Sequence, residues 1–176
     1  MKENNEKVLQ CGVTKLSEWQ KDKDWADQYF QAIEQVVKKV ADKIITFTIA
    51  PEQDDISQAT DYLITVEKGT IACRIRKPDC KYRDFTIRSW RKSGSKTELE
   101  KIKEGFGRWY IYAWANNKYG FSEWVLLDLN NLRASPLLKT ERKATPNTDG
   151  TTAFIAFSLP ELYLWNIIVK RGIENE

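Results

Sequence analysis

The chain has 176 residues, 41% of them hydrophobic and 30% charged, a balance that fits one folded domain with a sizeable core and excludes a disordered chain. Its net charge is +3, from 28 Lys and Arg against 25 Asp and Glu, so bulk charge makes no case for nucleic acid and only local clustering of cations can. There is no histidine, which excludes Ser-His-Asp and Cys-His catalysis, HExxH zinc chemistry and histidine general bases.

Residues 1–23 read as a polar arm and residues 24–176 as one domain. Asp24 is placed to cap a helix over residues 25–41, where Trp25, Tyr29, Ile33, Val36, Val37 and Val40 recur at helical spacing. The runs 43–50, 61–67 and 70–77 read as strands, the last two joined into a hairpin by Lys68-Gly69. Residues 85–89 form a short strand that leads into a basic loop. Ser95 and Glu98 match a capping box for a helix that runs to about Glu104 and buries Leu99, Ile102 and Phe106. Residues 109–115 and 123–129 form a second hairpin. The strand over 109–115 is apolar or aromatic on both faces, as expected of a central strand covered on both sides. A loop over 134–152, a strand over 152–158 and a helix over 159–169 follow. That last strand and helix serve either to complete the sheet or to pair two copies as a homodimer. Together these elements predict an α/β fold, a mixed β-sheet flanked by helices.

No run approaches the roughly 18–20 apolar residues of a membrane span, and the N-terminal residues lack the apolar segment of a signal peptide, so a cytoplasmic protein with no membrane partner is expected. Cys11, Cys73 and Cys80 show no CxxC spacing, which gives neither a disulfide framework nor a zinc site, and Cys73 is expected to be a small buried hydrophobe. No phosphate-binding glycine loop is present.

Two groups of residues carry chemistry. In the strand 70–77, alternation puts Ile71, Cys73 and Ile75 on one face and Ala72, Arg74 and Arg76 on the other. Hairpin pairing in the right register would bring Asp61 near the two guanidinium groups, which favour its ionised form. The second group is Arg88, Trp90, Arg91, Lys92 and Lys96, interleaved with Ser89, Ser93 and Ser95. Cations and hydroxyls beside a helix N-terminus suit phosphate contacts, and Trp90 could stack on a base. The same residues also fit a solvated polar loop.

The order helix, three strands, helix, strand, with Asp61 opening the second strand and Arg74-x-Arg76 on the third, resembles the PD-(D/E)XK or restriction-endonuclease-like superfamily, whose core is αβββαβ. That resemblance implies a DNA-processing nuclease in which Asp61 holds Mg²⁺ and Arg76, at the position of the family's lysine, stabilises charge on the phosphate. Arg74 stands where the family has a metal-binding acid, and an arginine cannot bind a cation. Glu98, with Lys101 on the same helix face, is the candidate replacement for that acid. The segments FTIRSWRKSGSKTELEKIKEGFG and NTDGTTAF are similar to phage-encoded proteins without an assigned activity, which implies a phage or prophage origin. Two functions follow as expectations. One is metal-dependent phosphodiester hydrolysis. The other is a non-catalytic nuclease-like protein that binds nucleic acid or blocks a host defence protein.

Overall fold

A computed structural model describes residues 18–41, 45–49, 62–66 and 71–173. Its layers are stacked on β5 (Trp109–Ala115), every residue of which is buried. One face of β5 carries Trp109, Ile111, Ala113 and Ala115 and the other Tyr110, Tyr112 and Trp114, so both faces require cover. The strand lies inside a mixed four-stranded sheet ordered β3 (Ile71–Arg76), β5, β6 (Phe121–Asp128) and β9 (Ile168–Ile173). In this sheet β3 runs parallel to β5, and the other pairs are antiparallel.

Helices α1 (Glu18–Asp27) and α2 (Phe30–Lys39) cover one face. Tyr29, Val36 and Val40, with Trp25, Ile33 and Val37 at their margin, pack on Trp109, Ile111, Ala113 and Leu126. The other face is covered by an antiparallel sheet ordered β4 (Asp84–Arg91), β8 (Thr152–Ser158) and β7 (Thr145–Pro146). Phe85, Ile87, Ile155 and Phe157 project from it onto Tyr110, Tyr112, Val125 and Leu127. The Phe85 ring meets Tyr110 and Tyr112 edge-on, each with centroids 5.2 Å apart, the arrangement that the aromatic quadrupoles favour. Full burial of a side chain such as Phe85 contributes roughly 1.5–3 kcal/mol of transfer free energy. The short helices α3 (Glu98–Lys103), α4 (Leu129–Ala134) and α5 (Leu159–Leu164) close the ends of the layers. The expected mixed sheet flanked by helices is therefore present, with a second sheet packed on it. No described helix is long and apolar enough to cross a membrane.

Several local expectations are corrected. The helix over 25–41 is two helices, because the Tyr29 N–H bonds back three residues to the Ala26 carbonyl and closes α1. Asp24 therefore lies inside α1 and is not its cap, and α1 runs across the expected boundary at residues 23 and 24. Tyr29 still faces the sheet, stacked on Phe121. The β2–β3 hairpin does not form: β2 (Tyr62–Val66) pairs antiparallel with β1 (Ile45–Ile49), and β3 pairs with β5. Ile71 and Ile75 do face the core, but β3 is the sheet's edge and Cys73 is exposed there. The strand expected over 85–89 is longer, since β4 extends to Arg91 and takes Trp90 and Arg91 out of the expected basic loop. The loop over 134–152 contains a 3₁₀ turn at Pro136–Leu138 and the two residues of β7.

The expected helix over 159–169 stops at Leu164. Asn166 takes a left-handed φ of 52°, Ile167 N–H bonds to Leu162 O at 2.8 Å, and Asn166 N–H bonds to Tyr163 O at 3.0 Å. This is a Schellman ending with asparagine in the position usually held by glycine. The following residues join β6 as β9, so residues 152–173 complete two sheets.

Gly172 on β9 lies directly opposite Trp124, and a Cβ there would fall 2.3 Å from the Trp124 indole, itself only 3% exposed. Gly172→Ala should therefore destabilise the protein by roughly 1–3 kcal/mol, the usual cost of overpacking. Urea unfolding checks this, and an unchanged midpoint would contradict the packing of β9 on β6.

Candidate anion-binding cleft

The site begins at the exposed side of β4. A strand at a sheet edge leaves alternate backbone groups unpaired, and these must find partners elsewhere. On β4 the outward groups include the Thr86 carbonyl and the Arg88 N–H. Arg74, on neighbouring β3, donates from Nη1 to Thr86 O at 3.0 Å. Its Nη2 donates to Glu98 Oε2 at 2.6 Å, and the same carboxylate oxygen accepts the Arg88 N–H at 3.1 Å. The other oxygen, Oε1, accepts the Tyr110 hydroxyl at 2.5 Å. One ion pair thus satisfies a carbonyl and an amide of β4 and joins β3, β4, β5 and α3.

Glu98 is available for this because it is not part of the helix cap. The capping box is formed by Thr97 and Glu100, two positions beyond the Ser95 and Glu98 expected from the sequence. Thr97 N–H donates to Glu100 Oε2 at 2.6 Å, and Glu100 N–H donates to Thr97 Oγ1 at 3.2 Å. Both spacings fit the pattern of a hydroxyl followed three residues later by glutamate. Only the second leaves Glu98 on the first turn, facing Arg74.

Around this pair lies a cleft of about 430 Å³ whose polar lining is Arg74, Arg88, Arg91, Lys101 and Glu98, four cationic side chains against a single carboxylate. Among the described residues, Arg88, Arg91 and Lys101 have no ion-pair partner. Burial, then the like charges of Arg74 and Arg91, hold the Arg88 pKa below its ordinary value, with Glu98 acting the other way. Burial also works against the charge on Arg74, but Tyr110 and Glu98 outweigh it and its pKa lies above the usual value. Burial pushes the Tyr110 hydroxyl well above the phenol range, so it remains a donor to Glu98. The Arg91 Nε is buried without a hydrogen-bond partner. The cleft therefore has a net positive charge and unused donors, which is what an anion requires.

A β-bulge sets this arrangement. Arg88 pairs with Phe154 and Arg91 with Thr152, so a three-residue step on β4 matches a two-residue step on β8, with the register shift between Arg88 and Trp90. In a regular strand, residues three apart face opposite sides. The extra residue returns Arg91 to the face that carries Arg88. Beyond them opens a second, more polar cleft of about 640 Å³, lined by the same two arginines together with Lys92, Ser93, Asn147 and Thr151. Asp22 and Asp149 also border it, and Asp149 is held by the Thr151 hydroxyl at 2.7 Å.

The structure thus brings Arg74, Glu98, Lys101, Arg88 and Arg91 into one cleft and Lys92 beside it. It does not bring the other expected residues there. Arg76 donates from Nε and Nη2 to Cys80 Sγ, both at 3.3 Å, and takes no part in lining the cleft. Trp90 is 48% exposed and pairs with Ala153, on the β4 face opposite Arg88 and Arg91. Lys96 pairs with Glu104 at 2.7 Å and lines neither cleft. Asp61 lies outside the described residues. The donors in the cleft do not suit Mg²⁺, because both Glu98 oxygens are engaged and the surrounding groups are cations. Among the described residues, no group of three or more His, Cys, Asp or Glu side chains could hold a metal ion. Phe106, expected in the core, is instead 63% exposed at the mouth of the cleft. Its glycine-flanked position after α3 was the one hint in the sequence that it leaves the core.

No protein-family model matches the chain, and neither does any curated protein or solved structure.

Glu98→Gln keeps an acceptor for Tyr110 but removes the charge facing Arg74. The expected cost is about 1–2 kcal/mol, below that of a fully buried pair because the two side chains retain 25% and 21% of their surface. A double-mutant cycle with Arg74→Ala should give a coupling of at least ~0.5 kcal/mol. Additive losses would show that the pair does not hold the edge of β4.

Proposed function

We propose that the protein binds nucleic acid through its phosphate backbone, as a non-catalytic module of nuclease-like type. The observation that carries this reading is the excess positive charge of the cleft, where Arg88, Arg91 and Lys101 form no salt bridge among the described residues and a single carboxylate, Glu98, faces four cations. Arginine suits the role because its planar fork meets phosphate oxygens in pairs. The contact is with the backbone, so affinity is salt-sensitive and only weakly selective for sequence. The Glu98 carboxylate supports a binding role over a hydrolytic one, since it orders the edge of β4 and is not free to receive a metal ion. The cleft would equally receive an acidic surface of a host protein, and that reading applies if no nucleic acid binds.

Fluorescence anisotropy with labelled single-stranded DNA, RNA and duplex DNA tests the proposal. Binding should weaken linearly in log–log form with salt, and Arg88→Ala with Arg91→Ala should reduce the slope by about 1–2. Glu98→Gln should tighten binding by raising the net positive charge of the cleft. Incubation with Mg²⁺ or Mn²⁺ completes the test. Metal-dependent cleavage lost in Asp61→Ala would overturn the non-catalytic reading and restore hydrolysis, with Mg²⁺ held through Asp61.

A further inference from the structure

We infer that the ligand is a single strand, whose backbone crosses Arg88 and Arg91 while one unstacked base enters the inner cleft. This rests on the nucleic-acid reading above and adds which form of nucleic acid is recognised.

The two clefts share Arg88 and Arg91 but differ in the rest of their lining. The outer one is walled by Lys92, Ser93, Asn147 and Thr151, donors and hydroxyls suited to phosphate and sugar, with the carboxylates Asp22 and Asp149 at its border against the three cations Arg88, Arg91 and Lys92. The inner one continues past the arginines to Ala72, Ile102, Phe106, Leu129 and the Tyr110 ring. A site that met only phosphate would have no use for that apolar wall. At about 430 Å³, the inner cleft is within the range of pockets that hold small organic ligands, roughly 300–1,000 Å³. An apolar recess behind an arginine pair fits a base attached to its phosphate. A base still stacked and paired in a duplex cannot enter such a recess.

The wall is also fixed in place. Gly105 N–H bonds to Ile102 O at 3.1 Å and Phe106 N–H to Lys101 O at 3.0 Å, with Gly105 at φ 95°, so α3 ends in a Schellman motif. Arg133 on α4 donates to Gly107 O at 3.0 Å, Ile102 O at 3.3 Å and Phe106 O at 3.4 Å. The backbone of Phe106 is thereby pinned while its ring stays 63% exposed. An aromatic ring on a rigid backbone at a cleft mouth is a stacking surface with little ordering entropy left to lose.

The test compares three labelled ligands of equal length: a mixed-sequence single-stranded DNA, the same strand made entirely of abasic sites, and the duplex. All three present phosphates, and only the first offers an unpaired base. The single strand should bind at least fivefold more tightly than the abasic strand, and more tightly than the duplex at matched salt. Phe106→Ala, at an exposed position, should weaken the base-bearing strand more than the abasic one. Equal affinity for the base-bearing and abasic strands, or a preference for duplex, overturns base insertion while leaving backbone binding intact. Failure of all three to bind overturns the inference together with the reading it rests on.

Discussion

The Arg74–Glu98 ion pair closes the side on which the edges of the two sheets meet. β3 is the edge of the inner sheet and β4, which follows it in the chain, is the edge of the outer one. Two packed sheets joined in this way leave two adjacent edges open along one side, each with unpaired backbone groups that water or another strand could take. Arg74 and Glu98 close that side with side chains. The guanidinium reaches the Thr86 carbonyl, and the carboxylate takes the Arg88 amide. Arginine suits this position because its several fixed donors can serve a carbonyl and a carboxylate at once, which the single ammonium of lysine does less well. Arg74 thus organises the edge of a sheet.

That closure also shapes the electrostatics. The one carboxylate in the cleft is held by three donors and serves mainly Arg74, so the charges of Arg88, Arg91 and Lys101 remain. Burial first, and then the like charges of Arg74 and Arg91, lower the pKa of Arg88, so bringing these groups together has a cost. Folding of the hydrophobic layers supplies the stability that holds these groups together.

Much of the fold was legible in the sequence. The helical spacing of Trp25 to Val40, the two-sided apolar character of Trp109 to Ala115, and the strand at 152–158 are local patterns whose period directly gives the buried face. What could not be read were the choices between equivalent local patterns. Ser95-x-x-Glu98 and Thr97-x-x-Glu100 satisfy the same capping rule, and a contact with Arg74, distant in sequence, accompanies the second. Lys68-Gly69 suggests a hairpin, yet β3 pairs with a strand more than thirty residues on, because Ile71 and Ile75 extend the face covered by α2. Asn166 ends α5 by adopting a left-handed conformation that its side chain permits but does not dictate.

The basic residues show most clearly where the sequence runs out. Counting cations along residues 83–96 identifies a cluster but not a surface. With strict alternation, Arg88 and Arg91 would face opposite sides of β4, and Trp90 would lie between them as an equal candidate. The bulge reverses that parity after Arg88, so the two arginines share a face and Trp90 falls on the other. Its position follows from how β4 registers on β8, whose Ile155 and Phe157 are fixed by the core beneath them. The inner core therefore determines the register, the register places the bulge, and the bulge converts a run of charges into a pair of arginines on one face.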